Sequence, residues 1–382
     1  MDTKKQEVKT DQGNIFAYDY LVLATGASPI KPNLPGLDLP GVYTVRTSDD
    51  AKSINTKLLT VKKAVVVGAG VIGMELAGAF RKRGLDVSLV EKMPSLSSDI
   101  FGAEYAEKLI NLMKENNIKL LFGSELKSVK AVSEEGESKN IQKEVVIANA
   151  NGEEEILAAD IVVLAIGVKP NLDILKDTPI KTSKEGIVVD RKMRTNVKNV
   201  YACGDCSVPL YAPTGKYAPS RLASSGIQQS KTVGFQIAGF PIKYSGATSA
   251  FAFETLGKQF AAAGLDEESA RKHFKWVIVG RAKTKDLYED VKTSQDLEIK
   301  LIFAGPKMRL VGYEGFGFGV IASTEVASLA ISLKLSILSL LKFNYVSHPS
   351  MTPWPFMNPI IMATEDAMGN IMKKFKSFFG KR

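Results

Sequence analysis

Three glycines, Gly68, Gly70 and Gly73, follow a run of β-branched residues and open an apolar stretch. In a strand-turn-helix unit with this G-x-G-x-x-G spacing, the first glycine permits a tight turn and the second lets the backbone approach a pyrophosphate. The third allows the helix to pack closely on the strand, and the helix N-terminus offers N–H groups and a positive dipole end to phosphates. The spacing predicts a dinucleotide site; a glycine turn that serves packing alone is the alternative.

Glu91 ends a second predicted strand, 86–91. A carboxylate at this point would accept hydrogen bonds from both hydroxyls of the dinucleotide's ribose. The same charge would repel a 2′-phosphate, so the site favours NAD(H) over NADP(H). Basic residues at Lys92 and at 81–83 oppose that inference, although a solvated helix end that interacts with the helix dipole also explains the 81–83 cluster.

The composition is typical of a globular protein with several domains. The chain has 382 residues, 45% of them hydrophobic and 24% charged, and this length predicts two or three domains. The N-terminal residues lack the pattern of a secretory signal, so the cytoplasm is expected. With only Cys203, Cys206 and two histidines, the sequence offers neither a disulfide framework nor a dense metal cluster, and no metal is expected.

The net charge of +9 does not indicate a nucleic-acid partner, because the lysines are scattered and no basic run is interleaved with aromatic residues. The basic and aromatic segment 372–382 could lie on an anionic membrane surface, but a solvated or disordered terminus is favoured. Lys334, Lys342 and four serines interrupt the apolar stretch 326–343, which therefore predicts a buried helix rather than a membrane span.

The elements that must position these residues alternate between strand and helix. From about Lys63 to Pro170 the order is strand, helix, strand, helix and then several strands, which predicts a parallel, doubly wound sheet. The helix after the glycine turn carries on one face Ile72, Leu76, Ala77 and Phe80, as expected of a helix that lies on a sheet.

The flanking segments are less regular. A polar hairpin and a strand at 20–24 precede a proline-rich crossing at 28–36, where proline rings exclude regular structure. A long helix is predicted from about Ala218 to Ala238. From Tyr244 the pattern changes to antiparallel strands around one helix, which predicts an α+β domain at the end of the chain.

The segment that ends in Ala202-Cys203-Gly204-Asp205 resembles the second flavin-contacting motif of the pyridine nucleotide-disulfide oxidoreductases, a family of two-dinucleotide-binding flavoproteins. In that family the aspartate binds a hydroxyl of the FAD ribityl chain, and small residues let the backbone approach the cofactor. The resemblance implies that Gly204 and Asp205 bind FAD. An Asx turn that caps a strand end is the alternative for Asp205, and packing is favoured over redox chemistry for the C-x-x-C pair of Cys203 and Cys206.

Two further segments resemble motifs of the same family. Residues 18–27 are similar to its "ATG" crossover near FAD, which implies a cofactor contact at Thr25 and Gly26. Residues 167–171 are similar to its "GxxPN" turn, which implies a contact at Gly167.

The helix after the glycine turn also matches the family, with one departure. Glu75 matches the glutamate that lies near the nicotinamide and pairs with a lysine beside the flavin. Val71 departs from the pattern, since many members carry there an aromatic residue that gates the nicotinamide pocket.

Residues 345–350 resemble the "HPT"-type segment of disulfide reductases, which reaches the partner's active site and offers a histidine as proton donor. The resemblance implies an acid/base role for His348 and a homodimer formed through 244–365. Coenzyme A-disulfide reductases and NADH oxidases of the same superfamily use an aromatic, proline-rich form, which Tyr345 and the prolines after it partly match. A packing role is the alternative for His348.

The resemblance implies an α/β fold with a Rossmann-like NAD domain inserted in a partial FAD domain. The expected bounds are 1–45 and 171–243 for the FAD domain, 46–170 for the NAD domain, 244–365 for an α+β dimerisation domain and 366–382 for a basic tail.

The start of the chain resembles the middle of the family's FAD domain. The first strand, glycine loop and acidic residue for FAD have no counterpart in this sequence, nor has the redox cysteine that follows them. A truncated record or a separately encoded N-terminal half is therefore expected. Without the first βαβ unit, poor folding or low flavin occupancy is expected of the chain.

The function implied by the resemblance is hydride transfer from NADH to FAD and onward to an acceptor. A disulfide, polysulfide, coenzyme A-disulfide or dioxygen would accept the electrons, and the sequence does not choose among them. A non-catalytic NAD-binding remnant and a ferredoxin-type reductase are the alternatives. The long C-terminal domain argues against the second.

Overall fold

A computed structural model describes residues 1–96, 101–132 and 142–379. The chain forms two compact units: the first contains Met1–Ser28, Lys169–Ala252 and Ala261–Arg382, and the second contains Pro29–Val168 and Phe253–Phe260. In the described part of the chain, no helix combines the length and the apolar character needed to cross a membrane.

The helices are α1 (Ser48–Lys57), α2 (Val71–Lys82), α3 (Ala103–Glu115), α4 (Ala223–Ile237), α5 (Glu267–His273), α6 (Val320–Ser332), α7 (Ile337–Leu340) and α8 (Pro359–Phe379). The strands up to the middle of the chain are β1 (Glu7–Lys9), β2 (Ile15–Ala17), β3 (Leu21–Leu23), β4 (Ala27–Pro29), β5 (Val42–Thr44), β6 (Lys63–Val67), β7 (Asp86–Glu91), β8 (Lys119–Phe122), β9 (Ser124–Ala131), β10 (Lys143–Asn149), β11 (Glu154–Ala159) and β12 (Ile161–Leu164). The later strands are β13 (Val168–Pro170), β14 (Thr182–Ser183), β15 (Gly186–Val188), β16 (Val200–Ala202), β17 (Ser207–Val208), β18 (Phe251–Thr255), β19 (Lys258–Gly264), β20 (Val277–Lys285), β21 (Asp296–Ala304) and β22 (Arg309–Gly317).

The second unit is built on a five-stranded sheet in the order β5-β12-β6-β7-β8. Each neighbouring pair in this sheet runs parallel. Its central strands are nearly continuous apolar runs, and all four residues of β12 are buried, as expected where both faces of a parallel sheet are covered. The prediction of a parallel, doubly wound sheet is confirmed.

The predicted buried face of α2 is confirmed except at Ile72. Ala77 and Phe80 are buried, together with Met74, whereas Ile72 is 48% exposed. The assignment of Ile72 to the buried face was wrong; the close contact is at Gly73, where an added Cβ would lie 1.9 Å from the carbonyl oxygen of Gly68.

The tip of the β18–β19 hairpin packs on α2 within the second unit. Thr255 donates a hydrogen bond from its hydroxyl to the carbonyl of Met74 at 3.2 Å. A Cβ on Gly78 would lie 2.1 Å from that hydroxyl, so the helix can only approach the hairpin with glycine there. Beside this contact, Phe253 stacks on Phe260 at a ring distance of 5.5 Å.

In the first unit, β3 and β16 form a two-stranded parallel sheet. Helix α4 follows and begins at Ala223, later than the predicted start at Ala218. Pro219 lies between these positions and disfavours helical geometry in the residue before it.

The last five strands form a sheet in the order β18-β19-β22-β21-β20, in which β20–β21 and β21–β22 pair antiparallel. Helices α5 to α8 accompany it, rather than the single helix predicted. Lys300 on β21 and Glu314 on β22 are opposite each other in the register, and their side chains form an ion pair of 2.5 Å with 3% and 2% exposure.

The C-terminus is also more ordered than predicted, because α8 continues to Phe379. Residues Ile360, Ala363 and Ala367 are buried at helical spacing. A Cβ on Gly280 of β20 would lie 1.8 Å from the carbonyl oxygen of Ala363, so helix and strand are in close contact. A disordered terminus is therefore wrong for the residues before 380, whereas the exposure of residues 372–374 agrees with the solvated terminus that was also predicted.

Candidate functional site

The turn between β6 and α2 requires glycine at two positions. Gly68 has a φ of +103°, a conformation that L side chains rarely adopt, and a Cβ there would lie 2.5 Å from the carbonyl oxygen of Ala165. A Cβ on Gly73 would lie only 1.9 Å from the carbonyl oxygen of Gly68. These two glycines allow the strand, turn and helix to pack.

Gly70 has a different role in the same turn. It is the N-cap of α2 and makes no side-chain cap, and a Cβ added there would meet no atom within 4 Å. The open space adjoins the first N–H groups of α2, which have no acceptor within the helix, and the positive end of its dipole. This arrangement fits a pyrophosphate group, because its oxygens would accept from those N–H groups.

Glu91, at the end of β7, is tied to the turn. Its Oε2 accepts a hydrogen bond from the backbone N–H of Ala69 at 2.7 Å, and its Oε1 accepts from Met93 N–H at 2.8 Å. Sequence reasoning assigned this carboxylate to the ribose alone. A carboxylate has about four acceptor sites, so Glu91 can hold the turn and still receive two ribose hydroxyls.

The cation next to Glu91 is already paired. Lys92 Nζ lies 2.6 Å from Glu125 Oε1. Hydrogen bonds from Lys127 and Lys92 lower the pKa of Glu125 to about 2. The pairing of Lys92 leaves Glu91 as the charge at the end of β7, which favours a ribose diol over a 2′-phosphate.

Glu75 and Gly167 also belong to the second unit. Glu75 is exposed on α2, but partial withdrawal from water raises the pKa of its carboxyl, an effect that the backbone N–H of Glu254 opposes. Gly167 follows β12 with a φ of +99°, and its carbonyl accepts a hydrogen bond from Ile30 N–H at 2.9 Å.

Replacing Glu75 by glutamine is expected to stabilise the protein slightly at neutral pH and to have no effect in acid. A raised pKa means that the folded state favours the protonated carboxyl. The stability that the protonated carboxyl contributes is complete below pH 4.5, the ordinary pKa of the group, and is lost as the pH rises through the pKa of the folded state. Because Glu75 is exposed, the gain in Tm is expected to stay below roughly 2 °C. Thermal unfolding of the parent and of Glu75→Gln, from acid to neutral pH, measures the difference in Tm. A difference that does not vary with pH would contradict the raised pKa of Glu75.

Asn171 joins two crossing segments of the first unit. The Thr25 hydroxyl donates to the carbonyl of Asn171 at 2.7 Å, and Asn171 Nδ2 donates to the carbonyl of Thr25 at 2.9 Å. Asn171 N–H donates to the carbonyl of Gly26 at 3.0 Å, and the Ser28 hydroxyl donates to Asn171 Oδ1 at 2.9 Å. Thr25 and Gly26 are therefore held in a fixed conformation by Asn171, the last residue of the 167–171 turn, to which sequence reasoning gave no role of its own.

Gly204 and Asp205 form a turn at the end of β16. Gly204 has a φ of +75°, and a Cβ there would meet no atom within 4 Å. Its N–H donates to Gln229 Oε1 at 2.7 Å, and the Ser207 hydroxyl donates to the same oxygen at 2.9 Å. The open space beside a glycine and a half-buried carboxylate fits a hydroxylated chain that passes close to the backbone.

Gln229 was missed by sequence reasoning. It is fully buried on α4, one turn after the buried Ser225. Ser225 accepts a hydrogen bond from the Ser220 hydroxyl at 2.8 Å, and Gln229 Oε1 accepts those from Gly204 and Ser207. The available signal was a polar pair at i, i+4 on the buried face of a helix, which indicates a hydrogen-bonded network.

The two predicted flavin segments lie at one edge of one sheet. Thr25 and Gly26 follow β3, and Gly204 and Asp205 follow β16. The strands run parallel with Val200 opposite Leu21. Ligands of open parallel sheets bind outside the carboxyl ends of the strands, so the fold brings these four residues to a ligand-binding edge.

The cysteines are packing residues in this structure. Cys203 and Cys206 are both buried, and the Cys206 thiol donates weakly to the carbonyls of Cys203 and Leu23 at 3.3 and 3.5 Å. Burial, followed by the proximity of Cys206, raises the pKa of Cys203. A redox thiol needs access and a lowered pKa, so the geometry agrees with packing.

His348 is exposed on a separate segment of the first unit. Its Nδ1 lies 3.2 Å from the Ser350 hydroxyl, and its backbone N–H donates to the Thr352 hydroxyl at 2.9 Å. Nearby, the ring of Trp354 stacks on Tyr288 at 4.2 Å. The turn holds the imidazole by one nitrogen and leaves the side chain at the surface.

Comparisons with known proteins cover nearly the whole chain. A family model described as Pyridine nucleotide-disulphide oxidoreductase matches residues 1–230. An NADH oxidase of Methanocaldococcus jannaschii is 31% identical over 383 residues, 98% of this chain and 82% of that protein. An NAD(P)H sulfur oxidoreductase (CoA-dependent) of Pyrococcus furiosus is 30% identical over 323 residues, 83% of this chain and 70% of that protein. The structure of an NAD-dependent persulfide reductase from A. fulgidus is similar with a TM-score of 0.84 and 27% identity, covering 97% of this chain and 67% of that one.

Proposed function

Because the chain belongs to the pyridine nucleotide-disulphide oxidoreductase family, we propose that it is an FAD-dependent oxidoreductase that takes its electrons from NADH. Its cofactors are FAD and NAD(H). The observation that carries the proposal is the placement of Thr25, Gly26, Gly204 and Asp205 at the carboxyl edge of the β3–β16 pair. The glycine turn before α2 is the second support, since it offers a pyrophosphate cradle on another sheet.

Each site residue has a distinct task in this proposal. In the second unit, Gly68 and Gly73 shape the turn, and Gly70 with the first N–H groups of α2 binds the NADH pyrophosphate. Glu91 accepts the hydroxyls of the adenosine ribose and disfavours NADP(H). Glu75 and Gly167 lie near the nicotinamide.

In the first unit, Asp205 accepts a ribityl hydroxyl of FAD while Gly204 lets the backbone approach. Thr25 and Gly26 line the same edge, where Asn171 fixes their conformation. Bound FAD supplies the chemistry of accepting a hydride and passing electrons onward. The residues bind and orient the reacting groups, and correct placement lowers the barrier by making the reaction effectively intramolecular.

Dioxygen or a sulfur compound is the proposed electron acceptor. Relatives named as an NADH oxidase and as a CoA-dependent sulfur oxidoreductase support these two classes. Neither Cys203 nor Cys206 suits electron transfer to sulfur, because both are buried. The two free cysteines suit a reducing compartment, and the cytoplasm is the proposed location.

Anaerobic mixing of the FAD-loaded protein with NADH tests the function. The visible flavin absorbance is expected to bleach, faster with NADH than with NADPH because of Glu91. Air or a polysulfide should restore it. A protein that binds FAD and NADH but never bleaches would instead be a non-catalytic nucleotide-binding remnant.

We also propose that this chain binds flavin weakly. The support is the size of the sheet that carries Gly204 and Asp205, since among the described residues β3 pairs with β16 alone, and β16 has beyond it only an isolated bridge to Arg194. A parallel sheet of two strands is marginally stable alone. The ratio of flavin to protein after purification measures this, and stoichiometric FAD would contradict it.

His348 is the proposed proton donor to the reduced acceptor. Replacing it by glutamine is expected to lower kcat roughly a hundredfold, as for loss of a general acid. The limb of the pH–rate profile that reports imidazole should disappear with it. His273→Gln is the matched control, since His273 is the other histidine and is also exposed. An unchanged pH–rate profile in His348→Gln would refute the role.

A homodimer through residues 244–365 is also proposed. Helix α6 and its C-cap in this region expose three apolar side chains, with Ile321 at 50%, Leu329 at 59% and Leu333 at 61% exposure. Exposed apolar patches of this kind are typical of protein interfaces. Sedimentation equilibrium should give twice the chain mass, and a monomer at micromolar concentration would contradict the proposal.

A further inference from the structure

The first unit contains a cavity of about 380 Å³ away from the turns described above. Two turns form its walls, at 212–215 and at 304–307, and the start of β22 forms its base. Apolar side chains line much of the interior: Phe274, Ala304, Leu310, Val311 and Ile331. The volume lies within the range of small-molecule sites.

The charges that line this cavity all have the same sign. Lys307, Arg309 and Lys334 line it, and no acidic residue does so among the described residues. Over residues 1–96, 101–132 and 142–379, none of the three cations forms an ion pair. Three elements supply them, since Lys307 is in a turn, Arg309 begins β22 and Lys334 follows α6. The fold therefore gathers unpaired positive charge around an apolar interior.

Lys334 adopts a backbone conformation that favours glycine. Helix α6 ends at its C-cap Leu333, and Lys334 follows with a φ of +57°. Glycine is the common residue at this position because a Cβ is unfavourable in the left-handed region. A lysine held there at a conformational cost suggests a role for its ammonium group.

We propose that this cavity binds a small organic phosphate with an apolar or aromatic body. The apolar interior would receive the body, as most small-molecule sites do. The guanidinium of Arg309 can bind two phosphate oxygens at once, and the two ammonium groups add point charges. This site is independent of the proposed nucleotide sites, which lie at the carboxyl edges of other sheets.

Calorimetric titration of the full chain with 1-naphthyl phosphate tests the proposal. Excess FAD and NAD⁺ are present so that the nucleotide sites are occupied. The parent protein is expected to bind 1-naphthyl phosphate at least about tenfold more tightly than either 1-naphthol or inorganic phosphate. Equal affinity for inorganic phosphate and 1-naphthyl phosphate would mean a merely basic surface and would overturn the proposal.

Three variants distinguish a specific binding site in this cavity from general attraction of anions to a basic surface. Lys334→Gln and Lys307→Gln are each expected to weaken binding of 1-naphthyl phosphate at least about threefold. Lys243→Gln removes an exposed lysine of the same unit that does not line the cavity, and its affinity should equal that of the parent. Equal weakening in Lys243→Gln, or no weakening in the other two, would overturn the proposal.

Lys334→Gly separates the charge from the backbone conformation. It is expected to raise the midpoint of thermal unfolding, because glycine relieves the left-handed position, and to weaken binding as much as Lys334→Gln. A variant that is more stable and still binds 1-naphthyl phosphate like the parent would show that Lys334 takes no part.

Discussion

Gly73→Ala is expected to destabilise the second unit and to abolish NADH binding. The added Cβ would lie 1.9 Å from the carbonyl oxygen of Gly68, which is backbone and cannot rotate away. Overpacking of this kind costs about 3 kcal/mol at the upper end of its usual range, equivalent to a fall in Tm of roughly 6–12 °C. Since α2 would have to move off β6, the N–H groups that hold the pyrophosphate would move with it.

Gly70→Ala is the matched control for this prediction. Its Cβ enters open space, and its φ of −73° suits alanine, so the Tm should stay within about 1 °C of the parent. The methyl group would instead occupy the space assigned to the pyrophosphate, and the KM for NADH should rise about tenfold or more. Differential scanning calorimetry and NADH titration measure the two effects. If Gly73→Ala kept the parent's Tm, or Gly70→Ala its affinity, this account of the turn would be wrong.

The second large effect is expected for Gln229→Leu. Leucine removes the oxygen that accepts both from Gly204 N–H at 2.7 Å and from the Ser207 hydroxyl at 2.9 Å. The Gly204 N–H would then lack its acceptor in the interior, at about 1–3 kcal/mol, whereas the Ser207 hydroxyl keeps the carbonyl of Gly204 as an acceptor at 2.9 Å. Because the Gly204 N–H fixes the turn before Asp205, the bound FAD per chain should fall along with the Tm.

Gln228→Leu is the control for Gln229→Leu. Gln228 precedes it on α4 but is exposed, so its replacement should leave both the Tm and the flavin content unchanged. If Gln229 has a purely structural role, its replacement lowers the Tm, but the Kd for added FAD, measured well below the Tm, stays unchanged. A positioning role requires that Kd to rise as well, and an unchanged Kd would refute it.

Sequence reasoning succeeded where the determining interactions are local. The glycines of the β6–α2 turn act within six residues of each other, and strand-helix alternation shows directly in the pattern of apolar residues. The same reasoning assigned Ile72 to the buried face, where the structure buries Met74 instead, because the packing of α2 on its neighbours is a tertiary contact that the local period does not report.

The missed residues depend on contacts that are distant in sequence. Gln229 reaches Gly204 across 25 residues, and Asn171 reaches Thr25 across 146. No local period reports such pairs, since each depends on how the chain returns to the same sheet edge. The cationic cavity is a case of the same kind, because its three charges come from separate elements and meet only in the fold.

The ion pair between Lys300 and Glu314 determines how β21 and β22 can align during folding. Moving one strand by one residue would turn its own charged side chain to the opposite face of the sheet and separate it from its partner. A buried charge that loses its counterion costs about 3–5 kcal/mol, which is a large part of a domain's net stability. The ion pair thereby disfavours alternative registers of the β21–β22 hairpin, so the neighbouring strands pair with a hairpin of one register.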